Sequence, residues 1–225
     1  MSRLFIIVSF IFTTLAYAAN EPTEKELERW FESDELLPPE FSKVNEGELV
    51  FLTKKPDKHV PFIENTIKID EESIESGWVN IFQCYKGLDP IENVEIVYRY
   101  KQQRGLTIHS TNNISSAVVK NNSVQLVGVD KAASLCVSLQ ARIFYKIAED
   151  TYELRNGPFE RRFLDGYYPM HVQLNVAYPE KLIEFVNILP APEAGYVVET
   201  KSNGIFIDAW FEGKLTVALN FTRKH

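Results

Sequence analysis

The sequence contains few of the residues that mark specialised classes of protein. Its 225 residues include only 2 cysteines, 10 glycines and 11 prolines. Two cysteines are too few for a disulfide-dense miniprotein, and so little glycine and proline excludes a collagen-like rod. A hydrophobic fraction of 45% and a charged fraction of 24% are typical of an ordinary folded protein and not of a disordered chain.

Basic residues and long apolar runs are scarce as well. Lys and Arg number 24 against 31 Asp and Glu, which gives a formal net charge of −7. Such a chain is a poor match for the phosphates of nucleic acids, so we expect no nucleic-acid partner. Beyond the N-terminal end, no apolar run reaches the roughly 20 residues that a membrane-spanning helix needs.

Familiar catalytic and metal-binding motifs are missing too. The sequence has no G-x-S-x-G elbow, no P-loop, no H-E-x-x-H pair and no EF-hand loop. Its 4 histidines are not spaced as the ligands of a local zinc site. We therefore predict no metal and no cofactor, and we favour a protein without enzymatic activity, although some folds assemble catalytic sites from distant residues.

The first eighteen residues have the three parts of a secretory signal peptide. Arg3 provides the positive start, residues 4–15 form the apolar core, and Ala16-Tyr17-Ala18 is a cleavage site of the small-x-small kind. The apolar core is too short to span a bilayer. We therefore expect an exported protein, periplasmic in a bacterium and extracellular otherwise, with cleavage after Ala18.

The mature chain is predicted to contain a helical arm and two β-rich units. Residues 19–44 form the arm, because a capping box that begins at Thr23 starts a short helix with an apolar stripe. Residues 45–156 form the first β-rich domain and residues 157–225 the second. We place the boundary at Gly157-Pro158, because glycine followed by proline interrupts regular structure.

Short runs of alternating apolar and polar residues, separated by turn residues, cover most of the mature chain. In the clearest run, Val94, Ile96, Tyr98 and Tyr100 face one side. This pattern predicts a mainly β fold built of antiparallel β-sandwich-like units, with a short N-terminal helix. An immunoglobulin-like architecture stays open, although antibody domains have a Trp after the first Cys and this chain has Trp78 before Cys84.

Two local predictions concern the second β-rich unit. Residues 179–189 carry apolar side chains at helical spacing, which predicts a short helix. Residues 204–211 and 214–221 alternate on either side of Glu212-Gly213, which predicts a β-hairpin.

The two cysteines predict one structural disulfide. Cys84 and Cys136 lie in predicted strands and have a single intramolecular pairing available. An exported protein meets an oxidising environment, which favours the disulfide over free thiols. Redox-active pairs of the thioredoxin kind are spaced C-x-x-C, and these two cysteines lie much farther apart.

The stretch from Gly157 to His171 has the most unusual composition of the chain. It combines arginines, aromatic residues, prolines and acids, and arginine and tyrosine dominate binding surfaces through a planar charged fork and a rigid plate with a polar tip. Its candidate binding residues are Arg161, Arg162, Asp165, Tyr167, Tyr168 and His171. The alternative is a buried joint, in which Asp165 or Glu160 pairs with one of the two arginines and the aromatic rings fill the seam.

These observations leave three hypotheses of function. The first is an exported, non-enzymatic protein that binds another macromolecule, a protein or an envelope component, through residues Phe159–His171 or an exposed strand edge. The second is a hydrolase acting on a polysaccharide, with Glu160, Asp165 and His171 around a cleft. The third is a carrier of a small ligand. The missing catalytic motifs favour the first.

Overall fold

Alternating side chains form strands along most of the described chain. The computed structural model describes residues 45–163, 166–201 and 204–225. The predicted signal peptide and arm (residues 1–44) and the candidate binding residue Asp165 lie outside these ranges. In chain order, the strands are β1 (Val50–Phe51), β2 (Phe62–Lys68), β3 (Trp78–Leu88), β4 (Ile91–Val97), β5 (Gln103–Lys120), β6 (Ser123–Arg142), β7 (Phe144–Ala148), β8 (Thr151–Phe159), β9 (Arg162–Phe163), β10 (Gly166–Tyr167), β11 (Met170–Ala177), β12 (Ile183–Leu189), β13 (Tyr196–Lys201), β14 (Gly204–Glu212) and β15 (Leu215–Arg223).

The strands form two larger sheets and one small ribbon. The large sheet has the order β1-β14-β11-β2-β3-β6-β4, and β13 also pairs with β14 and β5 with β6. The four-stranded sheet has the order β12-β15-β8-β7, and β9 pairs with β10. Strands β2 and β11 are parallel, whereas the other described pairs are antiparallel. The prediction of a mainly β, antiparallel fold is confirmed.

One hydrophobic cluster contains buried side chains of both larger sheets. Ile67, Leu135 and Ile207 belong to the large sheet, and Leu154 and Phe221 to the four-stranded sheet. Each of these five side chains is at most 1% exposed. A sheet with one apolar face must bury it against another layer, and here each sheet covers the other in a β-sandwich-like arrangement.

Gly157-Pro158 lies within a strand, where we had expected a boundary between two units. Strand β8 runs through both residues and pairs with β15. A Cβ atom on Gly157 would lie 2.6 Å from the Leu215 carbonyl oxygen, so glycine is required here by the close approach of the partner strand. Strands from both sides of this point share the large sheet, and the described residues form one compact unit.

A single short helix interrupts the strands of the described chain. Helix α1 (Glu71–Ser76) begins after Asp70, whose carboxylate accepts from the Ser73 N–H at 3.0 Å while the Asp70 N–H donates to the Ser73 hydroxyl at 3.0 Å. This reciprocal pair is a capping box, and Gly77 ends the helix at a φ of 77°. In the ranges given above, no helix is long and apolar enough to cross a membrane.

The predicted helix at residues 179–189 is wrong. Ile183–Leu189 is strand β12, and it pairs antiparallel with β15. The register shifts between Phe185 and Asn187, so a bulge breaks the regular alternation and leaves a spacing of apolar residues that resembles that of a helix.

The predicted hairpin at residues 204–221 is also wrong, although both of its strands exist. Strand β14 belongs to the large sheet and β15 to the four-stranded sheet, so the chain crosses between facing sheets at Gly213. Gly213 has a φ of 87°, and a Cβ there would collide with the Glu48 carbonyl oxygen. Only glycine allows this turn next to the segment that leads into β1.

The predicted disulfide is confirmed. Cys84 and Cys136 are bonded and occupy directly opposed positions on β3 and β6. Their bond therefore ties together two strands in the middle of the large sheet.

Candidate binding pocket

A pocket of about 670 Å³ is lined by the large sheet and by the chain around the end of β8. Strands β2, β3 and β4 contribute to its wall, as do residues 157–162, Tyr168 and Met170. The wall is mostly apolar and aromatic: Ile63, Leu88, Val94, Ile96, Phe159, Met170, Tyr85, Tyr98, Tyr100 and Tyr168. A volume of roughly 300–1,000 Å³ is typical of sites that hold small molecules.

Residues from both faces of β4 line the pocket, and the alternation seen in the sequence decides how deeply each is buried. Val94 and Ile96 are half-buried and Tyr98 is buried, whereas Val97 is exposed at the pocket's edge. Beyond the end of β4, the Tyr98 N–H donates to the Asn122 backbone carbonyl at 2.9 Å, and the side-chain amide of Asn122 donates through Nδ2 to the Tyr98 backbone carbonyl at 3.1 Å. These two bonds keep Tyr98 in line with the strand.

Tyr85 on β3 and Tyr98 and Tyr100 in the chain that follows β4 differ in their hydrogen bonds. The Tyr100 hydroxyl donates to Asn156 Oδ1 at 3.0 Å, and the Tyr85 hydroxyl donates to Gln83 Oε1 at 2.9 Å. The Tyr98 hydroxyl is buried, and no described group forms a hydrogen bond of good geometry with it. A buried hydroxyl without a partner loses its bonds to water and gains nothing in return.

Burial extends the pH range over which these tyrosines stay neutral. It raises the pKa of Tyr98 to about 12. Burial also raises the pKa of Tyr85 and of Tyr100, with a further contribution from neighbouring tyrosines. A phenolate is poorly solvated in an apolar wall, so the pocket presents uncharged phenol groups at neutral pH.

Glu160 joins the wall of the pocket to the chain that follows β4. Its Oε1 accepts from Arg99 Nη1 at 2.7 Å, and its side chain is 14% exposed against 62% for that of Arg99. Its second oxygen, Oε2, is buried and has no hydrogen-bond partner among the described groups. Half of this carboxylate is therefore desolvated without a compensating hydrogen bond.

Arg161 forms an ion pair with another residue of the chain, Asp89. Its Nη2 and Nε donate to the two carboxylate oxygens of Asp89 at 2.7 and 3.0 Å, and its Nη1 donates to the Pro169 carbonyl at 3.3 Å. The bidentate geometry is the strong form of the arginine–carboxylate pair. Arg161 thus fastens the end of β8 to the turn between β3 and β4.

The neighbours of Arg161 have different environments. Tyr167 is 8% exposed, its N–H donates to the Asn45 carbonyl at 3.0 Å, and the Arg162 guanidinium and the Lys214 ammonium lie 5.8 and 5.0 Å from its ring. Tyr168 is 41% exposed and lines the pocket, as does Arg162. Tyr167 is therefore packed inside the protein, whereas the next residue, Tyr168, lies at the edge of the pocket and is partly open to solvent.

His171 lies in another environment. Its Nε2 is 2.6 Å from Asp208 Oδ1 on β14, and its ring is stacked between Phe62 at 4.6 Å and Trp210 at 4.0 Å. His171 is not among the residues that line the pocket. Strand register explains the stack, because Phe62, His171 and Trp210 are opposed on neighbouring strands.

Only part of the predicted site is therefore brought together. Arg161, Arg162 and Tyr168 line the pocket with Glu160, whereas Tyr167 is buried in the joint and His171 lies elsewhere. The predicted pairing of Glu160 with Arg161 or Arg162 is wrong, since Glu160 binds Arg99 and Arg161 binds Asp89. Among the described residues, no group of His, Cys, Asp and Glu side chains could hold a metal ion.

Sequence reasoning missed the residues contributed by β3 and by the turn that follows it. Tyr85 on β3 and Asp89 in the turn become neighbours of the Gly157–Arg162 stretch only through the pairing of distant strands. A signal for Tyr98 and Tyr100 was present, because they continue the apolar face of Val94 and Ile96. Comparison of the chain with protein families, with curated proteins and with solved structures finds no match in any of the three.

Proposed function

We propose that the protein is a non-enzymatic binding protein and that the pocket receives an uncharged, mostly apolar small molecule. The observation that carries this proposal is the pocket of about 670 Å³ with its aliphatic and aromatic wall. Burying an apolar ligand there gains roughly 25 cal/mol for each Å² removed from water.

The charge of the wall favours a neutral ligand. Arg99, Arg161 and Arg162 are balanced by Asp89, Glu95 and Glu160. Two of the arginines are engaged with two of the acids, and Glu95 accepts from the Ser123 hydroxyl. A charged ligand would meet no excess of opposite charge to offset the loss of its hydration.

The unpartnered polar atoms favour a ligand with a hydrogen-bonding group. The Tyr98 hydroxyl and Glu160 Oε2 are buried without partners, and Tyr98 and Glu160 both belong to the pocket wall. Both atoms are inaccessible to solvent, so a hydroxyl or amide of the ligand would bond either one only after a small movement of the wall, and that bond would offset a desolvation cost already present in the protein. We therefore infer an apolar body with one or two polar groups.

The proposal is tested with N-phenylnaphthylamine, a neutral apolar dye that fluoresces when it leaves water. We expect saturable binding of one dye per chain and weaker binding of the anionic dye anilinonaphthalene sulfonate. Val94→Trp fills the pocket and is expected to weaken binding of the neutral dye at least tenfold, since one apolar group of this size contributes roughly 1.5–3 kcal/mol.

The matched control is Val118→Trp, because Val118 is 56% exposed and does not line the pocket. It is expected to bind the dye as the unchanged protein does, and thermal unfolding checks that both variants fold. Equal binding by the two variants, or preference for the anionic dye, would refute the proposal.

Binding to another macromolecule, the first hypothesis from the sequence, remains compatible with this pocket but does not depend on it. The hydrolase hypothesis has less support, because Glu160 and His171 occupy different environments. Asp165 lies outside the described residues.

A further inference from the structure

Strand β5 is a long edge strand. It covers Gln103–Lys120 and, within the described ranges, pairs only with β6. The N–H and C=O groups along its other side are therefore available to a further strand. From Ile114 to Lys120 its pairing with β6 keeps one regular register, whereas the preceding part contains three register shifts.

This edge lacks the usual features that prevent strand addition. Residues 105–119 contain no Lys, Arg, Asp, Glu or Pro, although natural edges are commonly protected by lysine or proline. Bulges, a third kind of protection, are confined to the part before Ile114. The regular stretch Ile114–Lys120 is thus the segment best suited to receive a partner strand.

Two exposed valines lie on one face near this edge. Val118 on β5 is 56% exposed and Val127 on β6 is 41% exposed, and they are diagonal neighbours with the polar residues Gln125 and Ser116 directly opposite them. A partner strand with an apolar residue beside Val118 would cover it. Lys120 is the one charged residue of the regular stretch, and it lies at the stretch's end.

We propose that the Ile114–Lys120 edge of β5 binds an extended segment of another polypeptide by antiparallel strand addition. The segment has apolar side chains at alternate positions and an acidic residue opposite Lys120. A second copy of this chain fits less well, because two-fold pairing of the same stretch would oppose Lys120 to Ile114 and Val118 to Ser116. Two chains of net charge −7 would also repel each other.

A designed peptide tests this proposal. The probe is a fluorescein-labelled peptide of alternating valine and threonine with an N-terminal glutamate, which antiparallel pairing places opposite Lys120. The control peptide has the same sequence with alternate amides N-methylated, so that it cannot donate along one edge. We expect a rise in fluorescence anisotropy with the probe alone and slower hydrogen exchange at the amides of residues 114–120.

Charge reversal separates pairing at this edge from unspecific adhesion. Lys120→Glu is expected to weaken binding of the probe about threefold, in line with the strength of an exposed ion pair, and to favour a version of the peptide that begins with lysine. Lys146→Glu on β7 is the control, because Lys146 is exposed on the other sheet. It is expected to leave binding unchanged.

Three results would overturn the proposal. They are absence of binding, protection of amides in the pocket wall instead of residues 114–120, and sedimentation as a dimer that protects residues 114–120 without peptide. Because the dye and the peptide occupy different places, failure here leaves the pocket proposal to its own test.

Discussion

Two tyrosines of the pocket wall show how one hydrogen bond decides whether a buried hydroxyl stabilises or destabilises the folded protein. Tyr98 and Tyr100 are two positions apart on one face, and each has a buried hydroxyl group. The Tyr100 hydroxyl bonds to Asn156, whereas the Tyr98 hydroxyl has no described partner. A buried hydrogen bond adds only modestly to the stability of the folded protein, but a buried polar group without a hydrogen bond loses the full free energy of its hydration.

Replacing each tyrosine by phenylalanine is expected to have opposite effects. Tyr100→Phe leaves the Asn156 side chain, which is 0% exposed, without any partner, and should lower the free energy of unfolding by about 1–2 kcal/mol. Tyr98→Phe removes a buried hydroxyl that forms no hydrogen bond of good geometry with a described group, so stability should stay the same or rise. Urea unfolding of the two variants and the unchanged protein measures both effects, and a loss of stability in Tyr98→Phe equal to that in Tyr100→Phe would contradict the assignment.

At this scale the sequence predicts which side chains share a face but not their partners. The alternation of residues 94–100 places Val94, Ile96, Tyr98 and Tyr100 together, as the structure has them. The sequence could not predict the partner of Arg161. Asp89 is 72 residues away along the chain, and the two side chains come into contact only once β3, β4 and β8 are assembled.

At the scale of elements, alternation predicts where the strands are but not which sheet each strand joins. The sequence correctly predicts strands on both sides of Glu212-Gly213, yet these strands enter different sheets. A strand of a hairpin and a strand that crosses to a facing sheet have the same period, because each buries one face. The bulge in β12 similarly makes a strand resemble a helix in the sequence. One extra residue moves every later side chain to the other face of the sheet, so the apolar residues no longer alternate strictly.

The disulfide is the covalent link between two such elements. It closes a loop with a sequence separation of 52, which includes β4 and β5. Restricting that loop in the unfolded chain is worth about 4 kcal/mol in chain-entropy models and typically 2–4 kcal/mol in measurements.

Removing the disulfide is therefore expected to lower the free energy of unfolding by about 2–4 kcal/mol. The Cys84→Ala, Cys136→Ala double variant and the unchanged protein in reductant should show similar urea midpoints, both below that of the oxidised protein. As a control, reductant should not alter the double variant. Identical midpoints with and without reductant for the unchanged protein would show that the bond contributes nothing.

At the scale of the whole molecule, one shared core makes the fold depend on neutral tyrosines in several places. Tyr85, Tyr98 and Tyr100 lie at the pocket and Tyr196 lies on β13, and burial raises the pKa of each. Tyr98 and Tyr196 belong to the shared hydrophobic cluster, and Tyr85 and Tyr100 pack against it. Ionisation of any of these phenols should therefore be visible as a loss of global stability.

The expected outcome is alkaline unfolding above about pH 10. In the unfolded chain a tyrosine ionises near pH 10, whereas in the folded protein Tyr98 ionises at about 12. Below pH 10 both states hold the proton and the full stability is present. Between about pH 10 and 12 the unfolded state releases protons first, so stability falls with rising pH, by up to about 1.4 kcal/mol per pH unit for each such tyrosine. Urea unfolding at a series of pH values measures this slope, and the part of the phenolate absorbance that comes from the buried tyrosines should appear together with unfolding. Tyr98→Phe should flatten the slope, whereas Tyr168→Phe, which replaces a tyrosine that is 41% exposed, is the control. Phenolate absorbance that rises fully before any unfolding would show that these tyrosines ionise in the folded protein without cost.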